Sequence, residues 1–175
     1  MRNLNRIGLN AAASALISQK LNELLANYQV FYMNTRGFHW NIKGENFFEL
    51  HQKFEELYTD LQIKIDELAE RVLTLGHVPL HSYTEYTKVS TIKEVVNVSS
   101  GKAAIREILA AYAILLPLQR EILQTSGDSN DEGTNALMSE YIGEQEKLVW
   151  MYSAYLGDSQ EDEKTSKQEV AAVAG

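Results

Sequence analysis

The chain has 175 residues, of which 45% are apolar and 23% charged, with 2 Pro, 10 Gly and no Cys. This length fits one domain with a sizeable core. The lack of Cys excludes disulfides, thiolate metal sites and cysteine nucleophiles. The formal net charge of -8 argues against binding nucleic acid through the bulk surface, because phosphate affinity requires clustered cations.

The N-terminal sequence MRNLNRIGLNAAASALIS contains AAASA, which is similar to a signal-peptide cleavage site. Arg and Asn residues interrupt the apolar run that a signal peptide needs, so we do not interpret it as one. No stretch approaches the roughly 18 apolar residues of a membrane span. We therefore expect a soluble, cytoplasmic protein without membrane association.

Apolar residues recur at the three- and four-residue spacing of helices through four long segments. Asn10 is a suitable N-cap for the first segment, and Gly76 and Gly157 are suitable stops for the second and fourth. The predicted helices run over about 11–38, about 46–75, about 99–125 and about 131–156.

The connection between the second and third helices is long enough to carry the chain back along a bundle. Within it, VPLHSYTEYTKVS reads as a turn and a short helix is expected at about 91–95. The pattern predicts an all-α, ferritin-like four-helix bundle with a crossover that carries a short helix. Pro117 lies inside the third helix and predicts a bend, or alternatively a break.

The predicted helices divide the chain into an N-terminal tail at 1–10, the bundle at 11–157 and a polar C-terminal tail at 158–175. We expect the C-terminal tail to be disordered.

The second helix carries a set of possible metal ligands beside its core face: His51, Glu55, Asp66 and Glu70. They form two i,i+4 pairs, and imidazole with carboxylates suits Fe, Mn or Zn. His51 and Asp66 are separated by about 22 Å along the helix, so the pairs cannot share one metal within a chain. A second copy of the helix, antiparallel across a two-fold axis, would unite them. The alternative is an ordinary solvated flank of a core face.

Beyond this pattern, the stretch HWNIKGENFFELHQKFEELYTDLQIKIDELAERVLTLG resembles the signature of the Dps mini-ferritins, the DNA-protection-during-starvation family. It matches HWN, then G-x-x-F-x-x-L-H, then D-E-L-A-E-R followed by L-G. The resemblance continues through DEGTNALMSEYIGEQEKLVWMYSAYL. No E-x-x-H pair occurs, which argues against the intrasubunit di-iron site of ordinary ferritins.

The resemblance implies that His39, His51 and Glu55 are iron ligands from one subunit, and that Asp66 and Glu70 come from its two-fold partner. Glu55 stands where the family commonly has Asp. Trp40 is implied to lie close to the iron, where it could take up stray oxidising equivalents; packing is the alternative role.

The resemblance also implies a dodecameric shell with acidic three-fold pores. The pore candidates are Asp128, Asp131, Glu132 and Glu140, although acidic residues at a helix start also complement the helix dipole. Ala136 stands where some relatives have another acidic residue.

The implied activity is that of a ferroxidase: oxidation of Fe(II), preferably with hydrogen peroxide rather than oxygen, and storage of the Fe(III) mineral. The alternative is a nucleoid-associated protein that binds DNA and has little ferroxidase activity. The first ten residues offer only Arg2 and Arg6 as cations, and the C-terminal tail is acidic, so we expect weak DNA binding or none.

Overall fold

The computed structural model describes residues 3–157, which form five α-helices and, apart from an isolated bridge between Leu4 and Asn10, no β-structure. The predicted all-α fold, with four long helices and a short one in the crossover, is confirmed. The predicted tail at 158–175 lies outside the described residues. The helices are α1 (Ala11–Asn41), α2 (Phe47–Thr74), α3 (Tyr83–Val89), α4 (Gly101–Asp128) and α5 (Glu132–Leu156).

The ends of the long helices follow the expected capping chemistry. The Asn10 side chain accepts a hydrogen bond from the backbone N–H of Ala13 at 3.0 Å, which confirms it as the N-cap of α1. Gly76 and Gly157 have φ of +92° and +82°, the left-handed conformation with which helices commonly end. No helix within residues 3–157 has both the length and the apolar character required to cross a membrane.

The bundle core contains a polar network where three helices meet. The Tyr28 hydroxyl of α1 accepts hydrogen bonds from the amides of Gln119 on α4, at 3.1 Å, and Gln145 on α5, at 2.5 Å. Gln119 also donates to Gln145 at 2.8 Å. Because all three side chains are buried, these bonds fix the relative register of α1, α4 and α5.

α2 is held against α5 through Lys64. Its buried ammonium donates to Asp60 at 2.6 Å and to Glu144 at 2.7 Å, and it lies 4.9 Å from the centre of the Tyr141 ring. Burial disfavours the charge, but the two hydrogen bonds outweigh it and raise the pKa of Lys64. This attachment leaves the side of α2 that carries Glu55, Asp66 and Glu70 exposed.

Pro117 does not break its helix. α4 continues without interruption from Gly101 to Asp128. Both Pro117 and Ala113, whose carbonyl loses its usual helical donor, are exposed. The predicted alternative of a helix break is therefore wrong.

The crossover differs from its prediction. The short helix is not at 91–95 but at α3, in the stretch predicted to be a turn. Ser82 caps α3 by accepting from the N–H of Glu85 at 3.3 Å, in an S-x-x-E capping box that marks a helix start. Residues 91–95 are not helical: Val95 N, which would donate to the carbonyl of Thr91 in a helix, donates to the side chain of Asn34 on α1 instead, and Asn27 binds the segment at its start. Thr91 N and Ile92 N donate to Asn27 at 3.0 Å, and Val95 N donates to Asn34 at 2.9 Å.

Candidate metal centre

His39 and His51 form a stacked pair where the end of α1 meets the start of α2. Their ring centroids are 3.8 Å apart and the ring planes are inclined by 20°. Each ring bonds to the backbone of the other residue: His39 Nδ1 lies 2.7 Å from the carbonyl oxygen of His51, and His51 Nδ1 lies 2.9 Å from that of His39. His39 is buried, at 8% exposure, and His51 is half-buried.

These bonds define the tautomer of both rings. A carbonyl oxygen only accepts, so each Nδ1 carries the proton and donates. In a neutral imidazole the lone pair then lies on Nε2, which is the form that binds a metal. A backbone carbonyl on the second ring nitrogen is the usual support of a metal-bound histidine. The Nδ1 atoms of the pair are therefore held as they are in metal-bound histidines.

The carboxylates predicted to join the histidines lie further along α2. Glu55, one turn beyond His51, is exposed, as are Asp66 and Glu70. No group of three or more His, Asp or Glu side chains able to hold a metal comes together within residues 3–157 of one chain. The structure thus brings together His39 and His51 but does not unite them with Asp66 and Glu70, and the five-residue ligand set remains a prediction.

Two aromatic rings contact the histidine pair, and three further side chains continue from them. The ring of Tyr58 meets that of His39 edge-on at 5.3 Å, and Phe47 stacks on His51 at 5.2 Å. Tyr32 contacts Tyr58 at 6.2 Å, and the Arg36 guanidinium lies 4.6 Å from the centre of the Trp40 ring.

In the sequence, Tyr32, Phe47 and Tyr58 have the helical spacing of core residues, and nothing singles out Arg36. The i,i+4 spacing of Tyr32, Arg36 and Trp40 is the signal that could have revealed their shared face. Trp40 itself is 55% exposed and packs on Arg36 rather than in the core.

The acidic pore candidates differ in their surroundings. Asp128, Glu132 and Glu140 are exposed. Asp131 is 1% exposed: it pairs with Arg71, accepts from the N–H of Thr134 at 3.1 Å and from the Thr134 hydroxyl at 2.6 Å. Its carboxylate caps α5 and joins it to α2, which gives it a structural role at the start of that helix. The proposal of an acidic pore therefore uses the other three residues.

The fold is similar to that of known proteins. The ferritin-like domain family matches residues 18–161, most of the chain. A crystal structure of a Dps protein from Vibrio cholerae, described as a member of a superfamily of ferritin-like diiron-carboxylate proteins, superposes with a TM-score of 0.87 at 57% identity. That match covers 89% of this chain and 98% of the other.

Two further comparisons agree. The DNA protection during starvation protein of Porphyromonas gingivalis is 43% identical over 148 residues, which cover 85% of this chain and 93% of the relative. A Dps protein from Bacillus brevis has a TM-score of 0.80 at 34% identity, covering 83% of this chain and 97% of that one. The chain belongs to the Dps family of ferritin-like proteins.

Proposed function

We propose that this protein is a ferroxidase that takes Fe(II) as its substrate, oxidises it at sites shared between two subunits and stores the Fe(III). Membership of the Dps family supports a role in iron storage or DNA protection in general. The observation that carries the finer proposal is the histidine pair, in which reciprocal hydrogen bonds at 2.7 Å and 2.9 Å leave both Nε2 atoms free to bind a metal.

The incomplete ligand set in one chain supports a shared site. An antiparallel α2 from a second subunit would bring its Asp66 and Glu70 to the histidines of the first, and the two-fold axis would create two such sites. Two large apolar side chains, Ile63 and Leu73, are 56% and 57% exposed on the same side of α2 as these carboxylates. Apolar surface among ligands favours a face that a partner covers.

The ligand types suit the chemistry. Imidazole nitrogen binds Fe(II), and the carboxylates of Glu55, Asp66 and Glu70 favour the harder Fe(III) product. With hydrogen peroxide as oxidant, two Fe(II) supply the two electrons that break the O–O bond, and two protons complete two water molecules. Consuming peroxide in this way prevents formation of hydroxyl radical. Oxygen is the less favoured oxidant in this proposal.

Storage follows from the proposed assembly, a dodecameric shell in the cytoplasm. Asp128, Glu132 and Glu140 are exposed at the junction of α4 and α5 and along α5, where their negative field would attract Fe(II) toward a pore. Inside the shell the Fe(III) would be deposited as mineral.

Stopped-flow absorbance of Fe(III) formation, with peroxide and with oxygen, tests this proposal. We expect fast oxidation by wild type that His51→Ala/Asp66→Ala abolishes. The matched control is His81→Ala/Glu107→Ala, which removes an exposed imidazole and carboxylate elsewhere and should leave the rate unchanged. Equal, slow oxidation by wild type and by the site variant would contradict the proposal.

For DNA we propose weak binding or none. Twelve chains of net charge -8 would carry about -96, which repels phosphate unless metal ions bridge the two. An electrophoretic shift of DNA at low salt, without divalent cations, would overturn this and favour the nucleoid-associated alternative.

A further inference from the structure

Aromatic rings form an unbroken path away from the histidine pair. The Tyr58 ring meets His39 at a centroid distance of 5.3 Å and an angle of 81°, and meets Tyr32 at 6.2 Å and 86°. Both tyrosines are half-buried. Tyr58 is therefore a redox-active side chain in direct contact with a histidine predicted to bind iron.

Arg36 lies over all three oxidisable rings of this cluster. Its guanidinium carbon is 4.6 Å from the centre of the Trp40 ring, 5.6 Å from that of Tyr32 and 5.7 Å from that of Tyr58. Its Nη1 also donates to the Tyr32 hydroxyl at 3.2 Å. The permanent positive charge is thus closest to Trp40.

The positive charge of Arg36 affects the oxidation of tryptophan and of tyrosine differently. Removing one electron from an indole first creates a radical cation, which a guanidinium over the ring destabilises by charge repulsion. A tyrosine gives up its phenolic proton together with the electron and forms a neutral radical, which the cation opposes far less. The cluster therefore favours oxidation of tyrosine over oxidation of the tryptophan.

We propose that Tyr58, rather than Trp40, supplies the second electron when peroxide meets a site that holds a single Fe(II). This inference rests on the proposed ferroxidase function. The O–O bond of hydrogen peroxide breaks; Fe(II) gives one electron and Tyr58 the other. The products are Fe(III), the Tyr58 phenoxyl radical, one hydroxide and one water, which takes up the phenolic proton.

Tyr32 extends the path. Electron transfer from Tyr32 to the Tyr58 radical, with the Tyr32 proton released to solvent and one proton taken up by Tyr58, restores Tyr58 and leaves the unpaired electron on Tyr32, one ring further from the iron. A second Fe(II) entering the site then returns the tyrosine to its resting form, with one electron from Fe(II) and one proton from water. A half-filled site thus reduces peroxide by two electrons and releases no hydroxyl radical.

Freeze-quench electron paramagnetic resonance tests this, using assembled protein with one Fe(II) per subunit and excess hydrogen peroxide. The variants are Tyr58→Phe, Trp40→Phe and, as matched control, Tyr83→Phe, which alters an exposed tyrosine on α3. We expect a tyrosyl signal in wild type, Trp40→Phe and Tyr83→Phe, and its loss in Tyr58→Phe. A hydroxyl-radical spin trap should report more adduct with Tyr58→Phe than with wild type.

A tyrosyl signal undiminished in Tyr58→Phe, a tryptophan radical in wild type, or Fe(III) formation without any radical would each overturn the proposal. Ring-deuterated tyrosine in the wild-type chain identifies the radical from its line width, even if a variant fails to fold. Fe(III) absorbance from the same samples distinguishes failure of the ferroxidase proposal from failure of the Tyr58 proposal. If wild type forms no Fe(III), the ferroxidase proposal fails as well; if Fe(III) forms and the radical is independent of Tyr58, only this inference fails.

Discussion

Each imidazole of the pair is held by a backbone carbonyl of the other histidine, so the meeting of α1 and α2 sets the tautomer of both rings. Asp131 is the second residue whose surroundings determine its role. Its carboxylate is 1% exposed, pairs with Arg71 and accepts a hydrogen bond from Thr134. It therefore stabilises the bundle and is not part of the exposed surface. Burial separates it from Asp128, three positions earlier and exposed.

Replacing Asp131 by Ala should lower the free energy of unfolding by about 3 kcal/mol, because it leaves the Arg71 guanidinium without its partner and removes the cap of α5. Urea denaturation followed by circular dichroism measures this. Asp128→Ala is the matched control and should change the stability by less than about 0.5 kcal/mol. Equal effects of the two substitutions would contradict the role assigned to Asp131.

At the scale of elements, the crossover shows a long-range interaction overriding a local pattern. Ser90 Oγ and the N–H groups of Thr91 and Ile92 all donate to the buried side chain of Asn27. These bonds tie 90–92 to α1, and Val95 N, the first donor that a helix starting at 91 would use, bonds to Asn34 instead, although the local sequence suits a helix.

Asn27→Ala should therefore destabilise the fold by about 2–3 kcal/mol, because buried donors lose their acceptor. Hydrogen exchange at the amides of Thr91 and Ile92 should become faster, while the middle of α4 keeps its protection. Gln19→Ala, an exposed amide on the same helix, serves as control. Unchanged exchange at Thr91 and Ile92 would show that other contacts hold the crossover.

How far the sequence predicts the structure differs between elements. Helical periodicity and the caps at Asn10, Gly76 and Gly157 place the four long helices within a few residues, because these signals are local. The short helix is mispredicted for two reasons. The capping box at Ser82 is a local signal for α3 that the turn interpretation misses. The non-helical path of 91–95 depends on Asn27 and Asn34, more than sixty residues away. The reciprocal histidine bonds and the contact of Arg36 with Tyr58 require the packed pair of α1 and α2, so no spacing rule reveals them. The shared face of Tyr32, Arg36 and Trp40 does follow from their i,i+4 spacing.

At the scale of the whole molecule, buried tyrosines make the stability of the fold depend on pH in the alkaline range. Burial is the main cause that raises the pKa of Tyr28, Tyr112, Tyr141 and Tyr152, the last from 10.0 to about 12. The unfolded chain loses these protons above about pH 10, whereas the folded chain keeps them. Their contribution to stability is thus complete below about pH 10 and is lost as the pH rises through the folded pKa values.

We expect the buried tyrosines to ionise together with the loss of helix. Tyrosinate absorbance and circular dichroism, recorded on the same samples as the pH is raised, test this coupling. Ionisation of all nine tyrosines while the helical signal stays intact would contradict it.

The proposed assembly depends on a site that two chains complete. Co-expressing His51→Ala and Asp66→Ala subunits with different tags, and purifying particles that carry both, tests this directly. In a mixed two-fold pair, one site loses both residues while the other keeps both. Random pairing makes half of the pairs mixed and restores about a quarter of all sites.

The decisive measurement is therefore the rate of Fe(II) oxidation by hydrogen peroxide in these mixed particles. The shared site predicts near-zero rates for each variant alone and recovery of about a quarter of the wild-type rate after mixing. Mixed particles no faster than either variant alone would show that no site combines His51 of one chain with Asp66 of another, and would contradict the account.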